Sequence, residues 1–220
     1  MRRIISLLIA VILMVAMIPT AMGITVYSDV EYDAWYSDSV QYVSENGLMQ
    51  GVGNNQFAPD DNITRAMVAT VLWRLGGEKE YDSVTFIDVD GDWFETATEW
   101  CWSEGIVKGY PLHQETPPVP SGYGFYFAGD NPVTREELAC FLYRYAKYAG
   151  ADVSGSASLE GFADAASVSD WAEVALGWCV AEGILQGTPA GDSLNLAPAD
   201  HATRAEVAAM LMRYCQMIGQ

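Results

Sequence analysis

Three arginines stand where a helix is least suited to a cation. Ile63-Thr64-Arg65-Ala66, Val133-Thr134-Arg135-Glu136 and Ala202-Thr203-Arg204-Ala205 each put an arginine directly after a threonine. Thr134 with Glu137, and Thr203 with Glu206, have capping-box spacing: the hydroxyl accepts from the third backbone N–H while the carboxylate reaches back to the cap. Thr64 holds the same place in the first copy, but Met67 stands where the carboxylate is expected. The caps explain threonine and glutamate, not arginine, which at the first helical position faces the positive end of the helix dipole at a cost of roughly a few tenths of a kcal/mol. The chemistry these residues suit is anion capture, because helix-start N–H groups and a guanidinium together receive a carboxylate or phosphate. An internal ion pair with Asp29, Asp88 or Asp164 is the alternative.

The surroundings of each arginine recur as well. A second arginine follows nine residues later, at Arg74, Arg144 and Arg213. Nine residues are two and a half turns, so these lie on the opposite helix face near the C-terminus, where the dipole favours them. Trp35, Trp93 and Trp171 are each followed twelve residues on by Gly47, Gly105 or Gly183, and four further by Gly51, Gly109 or Gly187. Tyr27-Ser28-Asp29, Phe86-Ile87-Asp88 and Phe162-Ala163-Asp164 open the copies. The tryptophans suit either a sugar-binding groove or the core. The three aspartates suit turns or caps, with ligand contact as the other option.

These coincidences describe a triple repeat, and each copy reads as helix–loop–helix. Val40 and Val43, Thr98 and Cys101, then Leu176 and Cys179 fall on one stripe with Tyr42, Trp100 and Trp178 beside it, at helical period. The first glycine ends that helix as a C′ residue of positive φ. The second helix carries Val68, Val71, Leu72 and Leu75, or Leu138, Phe141, Leu142 and Tyr145, or Val207, Met210, Leu211 and Tyr214. No strand alternation competes, so the expected class is all-α. The expected organisation is a signal peptide at 1–23 and repeats at 24–79, 80–150 and 151–220, the second with a loop insertion at 111–126. One such copy buries too little apolar surface alone, so the three should share a core.

The leader follows from Arg2-Arg3, the uncharged run Ile4 to Ile18, and small residues up to Gly23: basic, apolar and cleavable, and short of a bilayer span. Without Arg2 and Arg3, nine cations face 29 anions, a net charge of −20. Such a balance excludes nucleic acid and disfavours anionic membranes. Asp88-Val89-Asp90-Gly91-Asp92 imitates a calcium loop, but Trp93 occupies the glycine position, so no metal is expected. No cofactor fingerprint and no nucleophile spacing around His113 or His201 appears, and triplicated special residues are unlike one asymmetric catalytic centre. Cys101, Cys140, Cys179 and Cys215 allow three pairings in an exported chain; Cys101 and Cys179 fall on the apolar face, which favours buried free thiols.

The combined pattern of aromatic-x-Asp, Trp, Gly-x-x-x-Gly, Phe-Ala-Pro-Asp and Thr-Arg-Ala-Glu, over residues 26 to 217, resembles the S-layer homology domain. The resemblance implies a pseudo-threefold helical spindle around a shared core. It further implies a non-catalytic module at the cell surface. Grooves between its repeats would bind anionic secondary cell-wall polysaccharide, commonly pyruvylated, through arginines at the places of Arg65, Arg135 and Arg204. A scaffold for other envelope proteins, or a wall-glycan hydrolase, are the competing functions.

Overall fold

The computed structural model describes residues 27–81, 86–111 and 125–219. The expected leader and the interior of the 111–126 insertion lie outside the described residues. Helices form where the apolar period is 3.6 residues: α1 (Ser37–Glu45), α2 (Arg65–Leu75), α3 (Glu95–Ser103), α4 (Arg135–Tyr148), α5 (Glu173–Ala181) and α6 (Arg204–Met217). The short helices α1, α3 and α5 end at Gly47, Gly105 and Gly183, with φ of +68°, +71° and +68°. At α1 the Leu48 N–H returns to the Val43 carbonyl and Gly47 to Ser44, a Schellman closure that needs the left-handed glycine.

The all-α expectation is overturned. Among the described residues, β1 (Tyr110–Pro111) pairs antiparallel with β2 (Phe125–Tyr126), and β3 (Thr188–Ala190) with β4 (Ser193–Asn195). Isolated bridges add further strand pairing, so the chain is mixed α and β. The reason lies in the loops between helices, whose backbone polar groups need partners and find them across the loop. Ala190 faces Ser193 across a two-residue turn, and Gly191 (φ +61°) supplies the positive φ at its first position. Strands of two or three residues are too short to show alternation in a sequence.

Each long helix packs on the short helix of the next repeat, not its own: α2 on α3, α4 on α5, and α6 back on α1. The last pair closes the beginning of the described chain onto its end. At the centre the same cyclic order governs the backbone. Ile63 N–H donates to Ala202, Ala202 N–H to Val133, and Val133 N–H to Ile63, at 3.1, 2.9 and 3.0 Å. All three residues are buried. The helix starts are locked to the neighbouring loops: Arg65 and Ala66 N–H donate to Asn131 and Gly129, Arg135 and Glu136 to Asp200 and Pro198, Arg204 and Ala205 to Asp61 and Pro59. Thr64, Thr134 and Thr203 hydroxyls accept from Met67, Glu137 and Glu206 N–H. Glu137 and Glu206 return to the N–H of Thr134 and Thr203.

One contiguous core results, with Trp100 and Trp178 fully inside it. Gly76 is required there, since a Cβ would lie 2.4 Å from the Trp100 ring. The four cysteines are buried and unpaired. Cys101 and Cys179 lie at equivalent places and donate to the Ala69 and Ala139 carbonyls of α2 and α4. Burial pushes all four thiols up, keeping them protonated. A thiol reagent at neutral pH should therefore label Cys101 and Cys179 of the native protein only at the rate of unfolding, and all four thiols promptly in denaturant. Rapid labelling of Cys101 or Cys179 in the folded chain, located by mass spectrometry, would contradict this packing.

Candidate functional site

The three arginines of the helix starts are buried, at 2%, 5% and 6% exposure for Arg65, Arg135 and Arg204. Each Nε donates to a loop carbonyl of another repeat: Phe127 for Arg65 (3.0 Å), Leu196 for Arg135 (2.8 Å), Phe57 for Arg204 (2.7 Å). The guanidinium of Arg65 lies over the Phe127 ring, and that of Arg204 over Phe57. Arg65 Nη2 reaches the Lys108 carbonyl and Arg204 Nη2 the Gln50 carbonyl. Ion pairs form, but not with the aspartates named as candidates. Arg65 Nη1 meets Glu137 at 2.8 Å and Arg135 Nη1 meets Glu206 at 2.5 Å. The helix-start N–H groups are consumed by loops and caps, so each groove wall presents side-chain nitrogen and not free backbone N–H.

Asp29, Asp88 and Asp164 do a different job. Each carboxylate receives two consecutive backbone N–H groups: Phe57 and Ala58, Phe127 and Ala128, Leu196 and Ala197, all at 2.7–2.8 Å. The three alanines sit at φ of +56°, +55° and +50°. A left-handed conformation costs a residue with a Cβ about 1–2 kcal/mol, and the carboxylate clasp holds it in place. The clasp also fixes the carbonyls that receive the arginine Nε. The second glycine of each repeat belongs to the same joint: at Gly51, Gly109 and Gly187 a Cβ would fall 2.5–2.7 Å from Tyr27, Phe86 or Phe162.

Trp35, Trp93 and Trp171 are exposed, at 65%, 66% and 56%. They stand just before α1, α3 and α5, and each walls a groove. The Trp35 groove (about 440 Å³) contains Arg135, Arg213 and Glu206. The Trp93 groove (about 370 Å³) contains Arg204, Arg74 and Met67. The Trp171 groove (about 330 Å³) contains Arg65, Arg144, Glu137 and Tyr110. In every groove the tryptophan, the buried arginine and the C-terminal arginine come from three different repeats. The structure thus brings each candidate tryptophan to a candidate arginine and keeps the aspartates in the loop clasps.

Arg74, Arg144 and Arg213 line these grooves although the sequence reading gave them only a dipole role. Their face is opposite on one helix, but the groove is made between helices, so an argument confined to one helix misses them. Arg74 and Arg213 anchor through the Leu48 and Ile184 carbonyls at the ends of the short-helix loops. Tyr110 was missed too; it belongs to β1, lies over the Arg65 guanidinium at 4.7 Å, and donates to Glu137. Exposed indole faces beside guanidinium groups suit a polyhydroxylated ligand that carries an anion: stacking for the ring, charged hydrogen bonds for the acid. No cluster of metal-ligating side chains occurs among the described residues.

The family model of the S-layer homology domain matches residues 26–67 and 161–208. The chain is similar to a surface-layer 125 kDa protein of Lysinibacillus sphaericus, 28% identical over 90% of this chain and 16% of that protein. It is similar to the exoglucanase XynX of Acetivibrio thermocellus, 27% identical over 84% of this chain and 16% of that enzyme. A cellulosome-anchoring protein of the same organism is 34% identical over 39% of this chain and 20% of its own length. The chain therefore spans well under a quarter of each.

Two outcomes test the wiring. Glu137→Gln or Glu206→Gln leaves a buried guanidinium without its counter-ion and should cost about 2–3 kcal/mol in denaturant unfolding, whereas Met67→Gln should be within about 0.5 kcal/mol of wild type. The Asp29 clasp has a pH signature. Partial burial raises its carboxyl, but the Phe57 and Ala58 N–H donors and the charge of Arg204 outweigh that and hold it below 3.8. Its contribution is complete above pH 3.8 and is lost as pH falls through the lower folded value. Asp29→Asn should lower Tm at neutral pH and flatten the Tm–pH curve below that value; parallel curves would refute the clasp.

Proposed function

The chain carries S-layer homology domains, and from that premise we propose that it is a non-catalytic cell-surface anchoring module that binds an anionic cell-wall polysaccharide in its three grooves. The observation that carries this reading is the triplicated groove, with an exposed tryptophan and two arginines drawn from three repeats. An indole face stacks on a sugar ring, and the buried guanidinium offers an acid group a charge that water does not fully screen. A pyruvylated glycan carries both parts on one residue. The similarity to surface-layer and cellulosome-anchoring proteins supports the cell-surface setting.

Several arguments support binding without catalysis. The unusual residues occur three times in equivalent places, whereas a hydrolase concentrates its carboxylate pair in one cleft. The enzyme XynX shares only 187 aligned residues with this chain, 16% of its own length, so its named activity is not carried over. Among the described residues no helix is long and apolar enough to cross a membrane, and wall binding is the attachment proposed. Three linked weak grooves give retention by avidity, without any one being tight.

The tryptophans are the residues to change, because truncating an exposed side chain leaves the core intact whereas removing a buried arginine does not. The triple variant Trp35→Ala, Trp93→Ala, Trp171→Ala should keep its circular dichroism and its Tm to within a few degrees. It should lose most co-sedimentation with cell-wall sacculi of the source bacterium, about tenfold or more in retained fraction at limiting wall concentration. Retention equal to wild type, or wild-type retention unaffected by stripping the secondary polymer, would refute the proposal.

A further inference from the structure

The three grooves differ at one residue type. Three positions into the helix, α4 has Glu137 and α6 has Glu206, each paired with a buried arginine; α2 has Met67. In the Trp171 groove the Arg65 guanidinium is spent: Nε on Phe127, Nη1 on Glu137, Nη2 on Lys108, with the Tyr110 ring across its face. In the Trp35 groove Arg135 is neutralised by Glu206. Arg204 is different. Its Nε and Nη2 are held by the Phe57 and Gln50 carbonyls, and Nη1 has no hydrogen-bond partner among the described residues. No carboxylate among them lies within salt-bridge distance; Asp61 and Asp29 act on it from further away.

Arg204 is nonetheless only 6% exposed. It is a largely desolvated cation with no counter-ion in contact, its free Nη1 open to the groove, and an anion entering there recovers part of the cost of burial. Arg74 walls the same groove, and no acidic residue does. The Trp171 groove also has Lys108, but that side chain is exposed and its charge is already solvated.

We infer that the Trp93 groove is the anion-selecting site of this chain, accepting a carboxylate or phosphate ahead of the other two grooves, and that Met67 is the residue that makes it so. The inference rests on the proposed groove binding. It gives the grooves unequal affinities for the same acid group: the Trp93 groove takes it first, while the Glu206 and Glu137 carboxylates offset the arginines of the other two and weaken their hold on it.

The test follows the indole N–H signals of the intact chain by NMR, with Trp93 assigned from Trp93→Phe. Three probes are titrated: a pyruvate-ketal methyl glycoside, its neutral methyl ester, and inorganic phosphate. The ketal acid should perturb Trp93 at about tenfold lower concentration than Trp35 or Trp171, since one charge-assisted hydrogen bond is worth about that factor. Phosphate should show the same order if charge alone selects; selection by the ketal only assigns the preference to the carboxylate sugar. The ester should show no preference. Met67→Glu, which restores the pairing seen in the other repeats, should abolish the preference and raise Tm, while Met67→Leu retains it. Equal perturbation of all three indoles by the acid, or a preference that survives Met67→Glu, overturns the inference and leaves groove binding standing. Perturbation of none overturns both.

Discussion

A ring of three backbone hydrogen bonds, Ile63 to Ala202 to Val133 and back to Ile63, is the constraint on which the other contacts depend. The residues it joins are far apart in sequence, and each immediately precedes a capping threonine. Closing the ring therefore brings three helix starts together at one end. Like helix dipoles pointing toward each other are unfavourable, so the positive ends must be neutralised. Loop carbonyls of the neighbouring repeat do this, taking the first two N–H groups of α2, α4 and α6. The loops can reach only because the alanines at 58, 128 and 197 turn left-handed, which the aspartate clasps enforce. The chain is thus stabilised between repeats more than within them, and the pairing of each long helix with the following short helix completes the circuit.

The arginines at the helix starts make sense inside that circuit. A guanidinium has several donors in a rigid plane and can serve two masters. Its inner edge joins a loop carbonyl of another repeat, and its outer edge faces a groove. Lysine at the same position has one point charge and could not hold both geometries. The unfavourable dipole placement at the first helical position is small compared with the cost of leaving a buried carbonyl unpaired. Structure and proposed recognition consequently use the same side chains, and a groove arginine cannot be deleted without loosening a joint. The tryptophans are free of that constraint: they contribute exposed surface and little to the core.

Much of this was legible in the sequence because the repeat is triplicated. The six helices, the glycine ends of the short ones and the capping boxes follow from periodicity and cap spacing, which are local. The ribbons were not legible. β1 and β2 are two residues each, and β3 and β4 pair across a tight turn whose Gly191-Asp192 is the one local clue. At the site, the tryptophans and helix-start arginines stood out as unusual residues in fixed places. Arg74, Arg144 and Arg213 did not, because they look ordinary on their own helix; only the cyclic packing of repeats sets them opposite a tryptophan from elsewhere. The counter-ions of Arg65 and Arg135 were not legible for the same reason, and the aspartates offered as the alternative partners are not they. Glu137 and Glu206 read as caps, and they are caps, but their outer oxygen belongs to the arginine of the preceding repeat.

Met67 shows how one departure propagates in such a circuit. Within its own helix it removes a capping partner, and Thr64 still accepts from its N–H. Across the circuit it removes the counter-ion of Arg204, a residue 137 positions away in the chain. The chain is strongly acidic, so a distant field cannot draw an anion to it; with a Debye length of about 8 Å at physiological salt, only charges lining the groove matter at contact. In two grooves the lining acid cancels part of the arginine's field. In the third it is absent, and the low-dielectric wall around Arg204 strengthens what remains. A protein with a net charge of −18 can in this way keep a local site of opposite sign. The location of single carboxylates decides this, and the total charge does not.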